Sequence, residues 1–168
     1  MNPKSLKIYA PILFFALLLI DSHLTNLLEI WTKDNYYPIV NLLIMAFMVA
    51  TVHLSRRYLM ISALVIGLIF DSYYLGILGI NLVVLPLIVY WMTRYKELIN
   101  TNVITQFFTM IIVVTAYEVF TTLLQAIFQL ASVDFITFIT QLLGPTLLIN
   151  MVCFLLIIYP LRKLFSIK

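Results

Sequence analysis

Three acidic residues, Asp21, Asp71 and Glu118, stand inside or at the ends of long apolar runs. A carboxyl group at membrane depth is costly, so it faces a bundle interior, a partner or a water-filled cavity. Asn26, Asn81 and His23 fall at similar places in their runs. Between Val103 and Leu130, Thr115, Glu118, Thr122, Gln125 and Gln129 follow one another at intervals of three, four, three and four, which lines them along one helical face. Lipid does not tolerate such a stripe, so that face packs inward or against another protein. Asp21, Asn26, Asn81, Glu118, Thr122 and Gln125 are thus expected to form an intramembrane polar cluster. It reads either as a pocket or ion path open to the outside, or as hydrogen bonding that holds helix to helix, and the second reading carries more weight because polar helix contacts are common in membrane bundles.

Hydrolytic chemistry needs a nucleophile with its base, or ligands converging on a metal. His23 and His53 fall at opposite ends of the first two apolar segments and cannot share one ion. There is no G-x-S-x-G elbow and no H-E-x-x-H helix. The four glycines, Gly67, Gly76, Gly79 and Gly144, build no phosphate-binding loop. Cys153 stands alone in an apolar run and reads as a small buried hydrophobe, without a disulfide framework or metal spacing. The expectation is a protein that is not an enzyme and uses no cofactor or metal. A proton-linked carrier based on Asp21 and Glu118 would be expected to show internal symmetry, and no sequence repeat is visible.

The elements that position these residues follow from composition. Hydrophobic residues make up 64% of the 168 residues and charged ones 10%, with mean hydropathy +1.10, which excludes an ordinary soluble domain. We expect one all-α integral membrane domain over residues 1–168, with six transmembrane helices at about 8–28, 38–54, 59–70, 76–92, 103–130 and 135–159; a crossing takes roughly 20 residues, so the third is short and the fifth must tilt or emerge from the hydrocarbon. Lys4 and Lys7 before the run Ile8 to Ile20 imitate a signal peptide, but Asp21, Ser22, His23 and Leu24 follow without a small-x-small cleavage site, so the first span reads as uncleaved.

Charge orients these segments, since cytoplasmic loops carry the excess of Lys and Arg. With the N-terminus inside, nine of the ten basic residues face the cytoplasm and only Lys33, beside Glu29 and Asp34, faces out. Six crossings place Arg56, Arg57, Arg94, Lys96, Arg162, Lys163 and both termini in the cytoplasm. Because these residues lie in separate loops rather than along one exposed stripe, no nucleic-acid partner is expected. Tyr and Trp gather near the proposed span ends, as at Tyr36, Tyr37, Tyr90 and Trp91, while Tyr117 sits deep. Pro38 suits a first helical turn, and Pro86 and the Gly144–Pro145 pair should kink the fourth and sixth spans.

The stretch SALVIGLIFDSYYLGILGINLVVLPLIVY, Ser62 to Tyr90, resembles the rod-shape-determining protein MreD family. That family shows Gly-Leu-x-x-Asp ending one helix and a Leu-Gly before the next, matched by Gly67, Leu68, Asp71, Leu75, Gly76 and Gly79. Gly67 would allow close helix approach, Asp71 would cap the next turn or hold the outer loop, and Gly76 and Gly79 would permit sharp re-entry. The resemblance implies a non-enzymatic subunit of the cell elongation machinery (the elongasome) in the cell membrane, which binds MreC and helps to organise peptidoglycan synthesis and cell shape. Its larger assembly would include RodA and a class B penicillin-binding protein. MreD proteins also look similar to the substrate-binding subunits of energy-coupling-factor vitamin transporters, so membership in such a transporter is the rival reading. Those subunits carry Ala-x-x-x-Ala in the first helix, whereas Ala10 and Ala16 are separated here by five larger residues.

Overall fold

The computed structural model describes residues 3–33, 35–75, 78–99, 102–130 and 134–164, and every regular element among them is a helix. The helices are α1 (Pro3–Trp31), α2 (Leu42–Ala50), α3 (Arg56–Phe70), α4 (Ile80–Arg94), the short α5 (Lys96–Ile99), α6 (Val103–Ile127), α7 (Phe135–Thr137) and α8 (Gly144–Leu164). π-helical turns at Asp71–Leu75 and Phe138–Leu143 prolong α3 and join α7 to α8. Ile8–Trp31, Val103–Ile127 and Phe135–Leu164 are long and apolar enough to cross a membrane by length and composition. They fit a membrane protein.

The second apolar segment departs most from expectation. It is helical only over Leu42–Ala50, a rise of roughly 14 Å, and Pro38 lies in a non-helical stretch, residues 36–41, instead of a first helical turn. Proline turns the residue before it away from the α region, and other helices take up the backbone groups that follow. Every residue of α2 is buried. A helix apolar around its whole circumference belongs at a centre, and α2 touches α1, α4, α6 and α8. Phe14 of α1 stacks on Phe47 of α2 with ring centroids 4.2 Å apart.

The apolar residues left outside point away from this centre. Ile61 and Leu64 on α3, Ile104 and Phe108 on α6, and Leu155 and Leu156 on α8 are exposed, an outer surface suited to lipid or to another membrane helix. Gly144 and Pro145 mark the place where the π-helical turn gives way to α8. The α-helical donor to the Gln141 carbonyl would be residue 145, a proline with no N–H. That oxygen accepts the Tyr37 N–H instead, at 2.8 Å, so the break in one helix receives the non-helical stretch before α2.

α3 and α4 approach closely at Gly67. A Cβ added at Gly67 would lie 2.6 Å from the Asn81 carbonyl oxygen and 3.0 Å from Leu82 Cα, distances that backbone atoms cannot absorb without moving a helix. Gly67→Ala should therefore destabilise the protein by about 1–3 kcal/mol, read as a lower melting temperature in detergent. A variant with the parental melting temperature would show that the two helices are not held at this distance.

Candidate functional site

Asp21 and Asp71 do the same structural work at two joints. Asp21, buried on α1, accepts the Leu42 N–H on Oδ1 at 2.9 Å and the Leu43 N–H on Oδ2 at 2.8 Å. These are among the first N–H groups of α2, which have no partner within their own helix, and they lie at the positive end of the helix dipole. Asp71, fully buried at the end of α3, accepts from Gly79 N at 2.9 Å and Leu82 N at 3.0 Å on Oδ2. Its Oδ1 accepts from Asn81 N at 2.9 Å and Asn81 Nδ2 at 3.1 Å. Gly79 has φ +126°, a conformation that side-chain-bearing residues rarely adopt, so glycine lets the chain turn into α4 with its N–H aimed at the carboxylate.

Side chains of other helices satisfy the non-helical backbone before α2. Ile39 N donates to Thr146 Oγ1 and Val40 N to Thr25 Oγ1, both at 3.0 Å, and Asn41 N donates to Asn150 Oδ1 at 2.8 Å. Asn150 Nδ2 donates in turn to the Ile39 carbonyl at 2.6 Å. Irregular backbone at membrane depth is tolerated only where protein or a cavity surrounds it, and here α1 and α8 surround it.

Two neighbouring residues of α6 tie the joints together. Tyr117 donates its hydroxyl to Asn81 Oδ1, and Glu118 accepts Asn41 Nδ2 on Oε1 at 2.9 Å. Between these partners lies a cavity of about 200 Å³ lined by Asp21, Ser22, Asn41, Asn81, Tyr117 and Glu118 among others. Among the described residues, no group of three or more His, Cys, Asp or Glu is placed to hold a metal ion.

The polar cluster expected from the sequence assembles in part. Asp21, Asn81, Glu118 and Gln125 line the cavity. Asn26 does not: it is exposed, because five residues carry it about 140° round the helix from Asp21, while Thr25 at the four-residue spacing points inward. Thr122 also lies off the cavity, half-buried, and buried Thr121 takes its place. Gln129 is exposed and follows the end of α6, with φ 57°. Of the turn residues, Gly67, Asp71 and Gly79 meet at one joint, and Gly76 lies outside the described residues. Sequence reasoning missed Asn41, Thr25, Thr146 and Asn150. Their signal was available, since each is a hydrogen-bonding side chain within or beside an apolar run.

A family model described as rod shape-determining protein MreD matches residues 5–168. The chain is similar to the cell shape-determining protein MreD of Streptococcus pneumoniae (strain ATCC BAA-255 / R6), with 26% identity over 151 residues that cover 88% of each protein. No solved structure matches.

The joint built on Asp21 makes a local prediction. Asp21→Asn keeps one acceptor oxygen and turns the other into a donor, leaving one of the Leu42 and Leu43 N–H groups unmatched at a cost of about 1–3 kcal/mol. Hydrogen exchange followed by mass spectrometry should show faster exchange over residues 37–44 and little change over 79–85, where Asp71 acts. Equal acceleration at both joints, or at neither, would contradict the separate capping roles.

Proposed function

The chain belongs to the rod shape-determining protein MreD family, and on that premise we propose that it is a non-enzymatic membrane subunit of the bacterial cell elongation machinery, which binds MreC and helps to organise peptidoglycan synthesis. The observation that carries this reading is the family match over residues 5–168. A cell-shape role goes with the family. MreC as the direct partner, and RodA with a class B penicillin-binding protein in a larger complex, are the finer parts of the proposal. The exposed apolar faces of α3, α6 and α8 support it, because a subunit that assembles within the bilayer needs surfaces that another membrane helix can cover.

The layout proposed for this subunit is one multi-pass domain of the cell membrane with six crossings and both termini in the cytoplasm. Helices occupy each of the six apolar segments, and the distribution of Lys and Arg supports the orientation. We also propose, at the level of fold, a likeness to the substrate-binding subunits of energy-coupling-factor transporters. Vitamin binding is the weaker functional reading. The cavity favours it by lying among polar side chains, but its volume of about 200 Å³ falls below the range, from roughly 300 Å³ upward, of pockets that enclose small-molecule ligands.

Co-expression tests the assembly: tagged protein solubilised in mild detergent should retain MreC through purification, and depletion in cells should alter width and the placement of new wall. Recovery without MreC together with normal wall growth would remove the proposal. Arg57→Cys and Arg162→Cys should react with a membrane-impermeant thiol reagent only after the cells are opened. Labelling of either from outside would overturn the six-crossing layout.

A further inference from the structure

At the end of the bundle where α3 begins and α4 stops, Arg56, Thr93, Arg94, Tyr95, Lys96 and Glu97 line an open hollow of about 420 Å³. That volume lies inside the range of roughly 300–1,000 Å³ for pockets that hold small molecules. Three cations and one carboxylate meet there, so positive charge is in excess, and the charged residues are exposed. The two capped joints do not use this place. Arg56 has a defined position, with its guanidinium carbon 4.1 Å from the centroid of the Tyr90 ring. Stacking uses the flat face of a guanidinium, whereas a phosphate is gripped by the N–H groups in its plane, so the two contacts are compatible. Arg94 ends α4 and Lys96 opens α5, so the cations converge from two separate parts of the chain.

What carries the negative charge follows from the surface beside the hollow. Val83, Leu87 and Trp91 are exposed on α4 at intervals of four residues, and Arg94 follows three residues later, which puts all four on one helical face. From Val83 to Arg94 the helix rises roughly 17 Å, close to half of the ~30 Å hydrocarbon core. The apolar face is thus about as long as one leaflet is deep, and it ends at the basic hollow. Trp91 meets Tyr95 edge-on with ring centroids 6.3 Å apart, and Trp and Tyr favour the depth where headgroups begin. A soluble phosphate would use the hollow alone; a phospholipid uses the hollow and the face.

We propose that this hollow binds the headgroup phosphate of an anionic phospholipid, with Arg56 and Arg94 on the phosphate oxygens and an acyl chain along Val83, Leu87 and Trp91. Lys96 adds the charge that favours an anionic headgroup over a zwitterionic one. In the proposed layout the lipid belongs to the cytoplasmic leaflet. The site requires a bilayer but no other protein, so it stands or falls apart from the contact with MreC. A lipid held there bridges α3 and α4 at the end opposite the Asp71 joint.

Trp91 is one of two tryptophans and reports on the site once Trp31, which is exposed, is replaced. Full-length Trp31→Phe protein in nanodiscs is titrated with phosphatidylglycerol or phosphatidylcholine carrying brominated acyl chains, which quench a tryptophan they touch. Phosphatidylglycerol should reach half-maximal quenching at a mole fraction about fivefold lower, the size expected of a few ion pairs near a surface. Arg56→Gln with Arg94→Gln should bring the two lipids level. Arg162→Gln with Lys163→Gln removes the same charge outside the hollow and should leave the preference intact. Quenching by phosphatidylcholine needs only that Trp91 face lipid, so it shows that each variant has inserted and folded. Arg94→Gln alone, at an exposed position, should roughly halve the preference and serves where the double variant does not fold. Equal quenching by the two lipids in the Trp31→Phe parent would overturn the proposal. A preference lost equally in the Arg162→Gln/Lys163→Gln protein would mark general charge attraction and also overturn it. Loss of the preference in sodium phosphate but not in sodium chloride at equal ionic strength would identify a soluble phosphate as the occupant, with the same consequence.

Discussion

Backbone N–H groups that start a helix inside an apolar body must find acceptors, and this constraint shapes the protein. Nine such groups, at Tyr37, Ile39, Val40, Asn41, Leu42, Leu43, Gly79, Asn81 and Leu82, are matched by side chains or a carbonyl outside their own helix. Left unmatched at about 1–3 kcal/mol each, they would together rival the ~5–15 kcal/mol net stability usual for a folded domain. Water cannot supply the missing bonds in hydrocarbon. The acceptors must come from the chain itself, and the two aspartates provide five of the nine: Asp21 for Leu42 and Leu43, Asp71 for Gly79, Asn81 and Leu82.

This gives the bundle a repeated device that the linear sequence conceals. In each half of the first four helices, an aspartate followed by serine, Asp21–Ser22 or Asp71–Ser72, sits late in one helix and caps the next. An asparagine at each helix start, Asn41 or Asn81, then meets α6, where Glu118 accepts from Asn41 and the adjacent Tyr117 donates to Asn81. The spacing from aspartate to asparagine is twenty residues in the first case and ten in the second. A search for a fixed period cannot find such a repeat, because the physics conserves the contact between carboxylate and helix start, not the loop length between them.

The sequence made the helical segments legible, since a run of some 20 apolar residues has few alternatives in a bilayer, and it made Asp21, Asp71 and Glu118 legible because charge within such a run is costly. The joint formed by Gly67, Asp71 and Gly79 could also be read, as glycine at a close approach and glycine at a positive φ are local requirements. The break before α2 could not. Pro38 fits a helix start on its own local merits, and only the positions of Thr25, Asp21, Thr146 and Asn150 on distant parts of the chain make a non-helical backbone affordable there. The stripe points to Thr122 while Thr121 lines the cavity for a related reason: residues three and four places from Glu118 both lie near its face, and only the packing of α6 against α4 and α2 chooses between them.

Placing the hydrogen-bonding inside and the apolar surface outside has a consequence for assembly. A polar stripe on an outer face would associate with a partner through hydrogen bonds and would be costly to leave exposed to lipid before assembly. Here Asn41, Asn81, Asn150 and Glu118 are all buried within one chain, while between their basic ends α3 and α8 expose apolar residues such as Ile61, Leu64, Leu155 and Leu156. Apart from Ser22 Oγ and Gln106 Oε1, the side-chain polar groups buried among the described residues are matched within the chain, and a membrane partner on these faces meets a surface that lipid can also cover. Association on such a surface depends on shape and close packing more than on hydrogen bonds, so specificity must come from the relief of the helix faces, which the two capped joints hold in place.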